Sequence, residues 1–149
     1  MRRFGGGTIQ RTPRRTGPIV EISNRPFADV IVAAPVGRID HHSAGALETA
    51  LAPLVQEASL RKGVLVLDFA GVDYISSVGL RILMIAAKEL RAHEAKIAIA
   101  NMRPVVAEIF AISRFDRVLG VFPTVREAIL QFSAAGLAAF DAATPAATR

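Results

Sequence analysis

Gly63 opens an uninterrupted apolar run, Val64-Leu65-Val66-Leu67. A strand without polar alternation is covered on both faces, and such strands belong to parallel sheets. Parallel neighbours need long crossovers, ordinarily helices. The flanking sequence supplies them. Before the run, Ser43 opens a helix over 43–58, with Leu47, Leu51, Leu54 and Val55 at helical spacing and Pro53 inside. After it, residues 68–75 read as a loop. Ser76 or Ser77 then caps a helix reaching His93.

The pattern continues downstream. Residues 96–100 form another buried strand, and Pro104 suits the first turn of a helix over 104–112. Residues 118–122 form the last strand. Thr124 and Glu127 then make a capping box for a closing helix. Upstream, strands over 19–23 and 30–36 flank the turn-forming Asn24-Arg25-Pro26, which predicts an initial hairpin. The order β-β-α-β-α-β-α-β-α predicts an α/β fold. It is a mainly parallel mixed sheet with an N-terminal hairpin and about four helices.

The 149 residues are enough for one domain, at 52% hydrophobic and 21% charged. The net charge is +5, and Arg2, Arg3, Arg11, Arg14 and Arg15 account for all of it. Residues 1–17 therefore read as a disordered basic tail, 18–133 as the domain, and 134–149 as a frayed Ala-rich end. The charge describes a tail and not a basic binding face, so no direct nucleic-acid contact is expected. No apolar run approaches a membrane span, and the Arg-rich start lacks the apolar core of a secretory signal. A cytoplasmic protein is the expectation.

The usual chemistries fail one by one. There is no Cys for disulfides, thiolate metal sites or nucleophiles. His41-His42 and His93 have no metal-binding spacing, and no phosphate-binding Gly-Lys-Ser/Thr loop, dinucleotide fingerprint or nucleophile elbow is present. A phospho-receiver would need an acidic pair and a late Lys that this chain lacks. No catalytic residues, metal or cofactor are expected.

What remains is Asp68-Phe69-Ala70-Gly71-Val72-Asp73-Tyr74-Ile75-Ser76-Ser77-Val78-Gly79-Leu80. Two serines at a helix start serve either as plain N-caps or as phosphate acceptors, since free N–H groups there tolerate an anion. On the helix that follows, Leu80, Leu83, Met84, Ala87 and Leu90 share one face at about 100° per residue. Val78, Ile82 and Ile85 project away from it. They form either an exposed docking strip or a contact with the helix over 104–112. Arg81 and Lys88 lie between the two stripes.

Over about 19–130 the chain resembles a STAS domain, most nearly the bacterial anti-sigma factor antagonists. Gly37-Arg38-Ile39-Asp40-His41-His42-Ser43 matches the family's Gly-x-Leu-Asp block. Residues 68–80 match its strand and Ser-x-Gly-Leu turn. The resemblance places the phosphorylated serine on Ser77, with Ser76 as second choice, and the nearby aspartate on Asp40. Ser76 stands where many antagonists carry Asp, and Val78 where Ser or Thr is common.

The resemblance implies a switch and not an enzyme. The unphosphorylated form binds an anti-sigma factor that is also a serine kinase of the histidine-kinase ATPase fold, and so frees a sigma factor. Phosphorylation ends the complex, and a PP2C-type phosphatase restores it. Nucleotide and Mg²⁺ belong to those partners. Asp40, Val78, Gly79, Arg81, Ile82 and Ile85 are the expected partner-binding residues. Asp40 could instead cap the helix beginning near Ser43. The rival readings are an accessory subunit of a lipid or solute transporter ATPase and a stress-assembly scaffold.

Overall fold

The computed structural model describes residues 21–144. The expected basic tail over 1–17 lies outside them. The strands are β1 (Glu21–Phe27), β2 (Val30–Ile39), β3 (Val64–Asp68), β4 (Val72–Ile75), β5 (Lys96–Ala100) and β6 (Gly120–Phe122). The helices are α1 (Ala44–Arg61), α2 (Ser77–Ala92), α3 (Pro104–Ser113), α4 (Val125–Phe132) and α5 (Ala134–Ala143). The sheet runs β1-β2-β3-β5-β6, with β4 also paired to β2. Only β1 is antiparallel to its neighbour.

The apolar run behaves as its composition demands. Leu65 and Leu67 enter one core beneath α1, α2 and α3. Val64 and Val66 enter a second core beneath α4 and α5. All four are at most 3% exposed. The same alternation holds in β5, where Ile99 faces the first core and Ala98 and Ala100 the second.

Three expectations need correction. The hairpin forms, but its turn is Ala28-Asp29, with Ala28 at φ 59°. Asn24, Arg25 and Pro26 lie inside β1, an edge strand, where a proline with no N–H to donate is tolerated. Residues 72–75 are a strand and not loop. β2 is long enough to pair β3 at Val30–Ala33 and then β4 from Gly37 onward. Gly37, at φ 116°, sits where the register shifts. The last correction concerns the Ala-rich end. Residues 134–143 form a fifth helix, α5, whose cap Ser133 accepts the Gly136 N–H at 2.8 Å. Phe140 of α5 packs edge-on against Phe27, which gives that helix an apolar anchor.

Candidate functional site: a serine-bearing turn and the α2 face

Parallel pairing of β2 with β4 sets the site. Arg38 stands opposite Tyr74, and Ile39 opposite Ile75. The Ser76 N–H then donates to the Ile39 carbonyl at 2.8 Å. Asp40 and the two serines, far apart in sequence, therefore leave adjacent strands at the same end of the sheet.

That hydrogen bond holds Ser76 extended, at φ −88° and ψ 172°, as the N-cap of α2. Its hydroxyl accepts the Gly79 N–H at 3.3 Å. Ser77 is the first helical residue and is exposed, and its hydroxyl takes no part in the cap. The two serines thus have different work. One closes the helix, and the other is presented to solvent. No acidic residue lies in this first turn.

Asp40 builds the turn from β2 into α1. Its carboxylate accepts the N–H groups of His42 at 2.9 Å and Ser43 at 3.2 Å, and the Arg38 Nε–H at 3.0 Å. The Ser43 hydroxyl donates to the Arg38 carbonyl at 2.7 Å and accepts the Asp40 N–H at 3.0 Å. Ser43 occupies the N-cap position of α1, yet its side chain makes no capping bond there. Partial desolvation pushes the Asp40 carboxyl up. The bonds from His42, Arg38 and Ser43 outweigh it and hold the group below its ordinary value. The Arg38 guanidinium also lies 4.2 Å from the Tyr74 ring centroid, which ties β4 to the same turn. His41 and His42 sit in this turn with ring centroids 4.0 Å apart.

A second clamp was not anticipated from sequence. Arg103, just before α3, donates to the Ala70 carbonyl at 2.8 Å and to Asp73 at 2.7 Å. Asp68 accepts from the Ala70 N–H and from Asn101. Together they fix the loop that leads into β4. The sequence signal was the two acids flanking the loop, Asp68 and Asp73, but their partners Asn101 and Arg103 lie 33 and 30 residues further on.

The α2 face needs correcting. Ile82 is 8% exposed and packs beside Leu51 and Val55 of α1. It is core, and the helix that covers it is α1 and not α3. Gly79 is buried as well. A Cβ there would stand 2.6 Å from Ile39 Cγ2 and 2.8 Å from Ile75 Cγ1, so glycine lets α2 approach the sheet. Val78 and Ile85 remain 39% and 51% exposed, with exposed Arg81 between them. From Ser77, the residues Val78, Arg81 and Ile85 form one outward face.

A cleft of about 450 Å³ lies elsewhere, over β1 and β2 beside the start of α4 and bounded by Phe27, Val32 and Phe140. Its Arg126 is committed to Asp141 by two bonds of 3.0 Å. Among the described residues, no three His, Cys, Asp or Glu side chains are grouped to hold a metal ion. None of the described helices is long and apolar enough to cross a membrane.

This is an α/β module in which a rigid turn, an exposed serine and a mixed apolar-basic helix face meet at one end of a parallel sheet. The STAS domain model matches residues 21–128, and the chain belongs to that family. BtrV of Bordetella bronchiseptica, which carries the name of an anti-sigma factor antagonist, is 34% identical over 116 residues. That match covers 78% of this chain and 90% of the relative. Among solved structures, an anti-sigma factor antagonist from Mycobacterium paratuberculosis superposes with TM-score 0.67 at 24% identity, covering 76% of this chain and 93% of that one. The antagonist SpoIIAA in its unphosphorylated form gives TM-score 0.60 at 18% identity, covering 74% and 95%. These two likenesses establish the fold.

Proposed function

We propose that this protein is a cytoplasmic anti-sigma factor antagonist switched by phosphorylation of Ser77. In its unphosphorylated form it binds an anti-sigma factor that is also a serine kinase of the histidine-kinase ATPase fold, and a sigma factor is released. The kinase then phosphorylates Ser77 and ends the complex, and a PP2C-type phosphatase resets it. The protein acts as a binding partner and substrate and does no chemistry of its own.

The observation that carries this reading is the division of labour between the serines. Ser76 closes the helix, while Ser77 is exposed at the head of the Val78, Arg81 and Ile85 face. An acceptor must be reachable, and its loss must not unfold the domain. Ser77 meets both conditions. Asp40, ion-paired with Arg38, leaves β2 at the same end of the sheet as the serine turn. A docked phosphate dianion at Ser77 must be stripped of water at the interface. The 34% identity with BtrV adds a relative bearing the same functional name.

The test is incubation with the ATPase-fold kinase and Mg-ATP, followed by mass spectrometry of the peptide spanning residues 71–81. Phosphate on Ser77, absent in Ser77→Ala and retained in a folded Ser76→Ala, is the expected result. Phosphate on Ser76 alone would move the switch by one residue. No phosphate on either, with a kinase active on another substrate, would remove the phosphorylation reading.

A further inference from the structure

We propose that a phosphate on Ser77 is held within the same molecule by Arg81. This rests on the reading of Ser77 as the acceptor and adds to it the residue that receives the modification. Ser77 and Arg81 are four residues apart on α2, both exposed. That spacing stacks them on one helix face with Cβ atoms about 5–6 Å apart. The acid lies N-terminal to the base, which is the favourable order. A guanidinium offers a planar fork of donors that suits phosphate oxygens.

Arg81 is available for this task. Arg38, Arg61, Arg103 and Arg126 are each ion-paired. The Arg81 side chain takes part in no hydrogen bond or ion pair among the described residues, and exposed Val78 and Ile85 flank it. Ser76 has no such partner, because the residue four positions on is buried Leu80. Helical spacing therefore singles out the serine that the cap leaves free. The consequence for docking is a reversal of sign. The unphosphorylated face presents an unpaired cation between two apolar side chains. The phosphorylated face presents that cation already occupied, with net negative charge around it.

The test uses phosphoserine incorporated at position 77 during synthesis of the full chain, so no kinase is required. The second ionisation of the phosphate, ordinarily near pH 6, is followed by phosphorus NMR across a pH titration. With Arg81 present the midpoint is expected about half a pH unit lower than in Arg81→Gln, the scale of an exposed ion pair. Arg81→Lys is expected to restore most of the shift, and phosphoserine at position 76 to respond much less to Arg81→Gln. Circular dichroism confirms that α2 is intact in each protein. Equal midpoints for the Ser77 phosphate with Arg81 and in Arg81→Gln would overturn the pairing. So would an equal response from phosphoserine at 76. A failure here leaves the phosphorylation reading standing, because that reading is tested by the kinase reaction.

Discussion

Replacing each serine by alanine, one at a time, separates structure from switching. In Ser76→Ala the Gly79 N–H loses its acceptor at the start of α2. N-cap loss generally costs about 0.5–2 kcal/mol. The bond here is 3.3 Å, longer than the common 2.9–3.0 Å of such pairs. The expected cost therefore falls in the lower part of that range, about 1 kcal/mol. For a domain of this size that lowers Tm by about 4 °C. In Ser77→Ala nothing comparable is removed, because the hydroxyl is exposed and outside the cap. Alanine is also the better helix former, so the change should stay within about 0.5 kcal/mol of zero. Urea unfolding followed by far-UV circular dichroism reads both, and an unchanged slope with urea would show that only stability has moved. Amide exchange at Gly79 gives a local check, with faster exchange expected in Ser76→Ala alone. The assignment of roles is wrong if Ser77→Ala is the more destabilising of the two, or if Ser76→Ala is silent.

Three further outcomes are expected. Ile82→Asp buries a carboxylate against α1 and should cost at least about 3 kcal/mol, whereas Ile85→Asp should leave stability within about 0.5 kcal/mol and weaken partner binding, both read by urea unfolding and calorimetric titration. Gly79→Ala forces a methyl against Ile39 and Ile75 and should cost about 1–3 kcal/mol, seen as a lowered Tm. Asp40 is held below its ordinary 3.8, so its contribution to stability is full above the unfolded value and lost as pH falls through the folded one. Asp40→Asn should flatten the fall of stability on acidification below about pH 4, and an unchanged slope would show that the carboxylate's bonds to His42, Ser43 and Arg38 do not favour folding.

Much of the sheet was legible because burial on both faces leaves no room for polar alternation, as in Val64-Leu65-Val66-Leu67. Strand β4 was not, since Val72-Asp73-Tyr74-Ile75 is too short to declare itself and becomes a strand only because β2 extends past β3 to pair with it. The turn at Ala28-Asp29 lacks glycine, while Asn24-Arg25-Pro26 carries strong turn chemistry that an edge strand can absorb. The Ala-rich α5 has little apolar periodicity of its own and is stabilised by the Ser133 cap and by Phe140 on Phe27. At the site, the motif located the serine pair, but both residues are competent caps. The choice comes from the Ser76 N–H bond to Ile39, a tertiary contact. The periodicity of α2 placed Leu80, Leu83, Ala87 and Leu90 in the core, but the buried face is turned toward Ile82 and Ala86, and Met84 is only half-buried. Periodicity could not say that α1 would pack beside that face and bury Ile82.

Phosphate on Ser77 is expected to break the complex with the anti-sigma factor. The direct measurement is the affinity of the cognate anti-sigma factor for two preparations of this chain, one unphosphorylated and one carrying phosphoserine at position 77. Docking must desolvate a dianion, and a penalty of about 3 kcal/mol corresponds to more than a hundredfold loss of affinity. Ser77→Asp, with one charge in place of nearly two, is expected to fall between the two. Isothermal titration calorimetry at fixed salt supplies all three values. A weakening of about a hundredfold or more on phosphorylation is the predicted result. Equal affinity of the two preparations for the anti-sigma factor would contradict the claim.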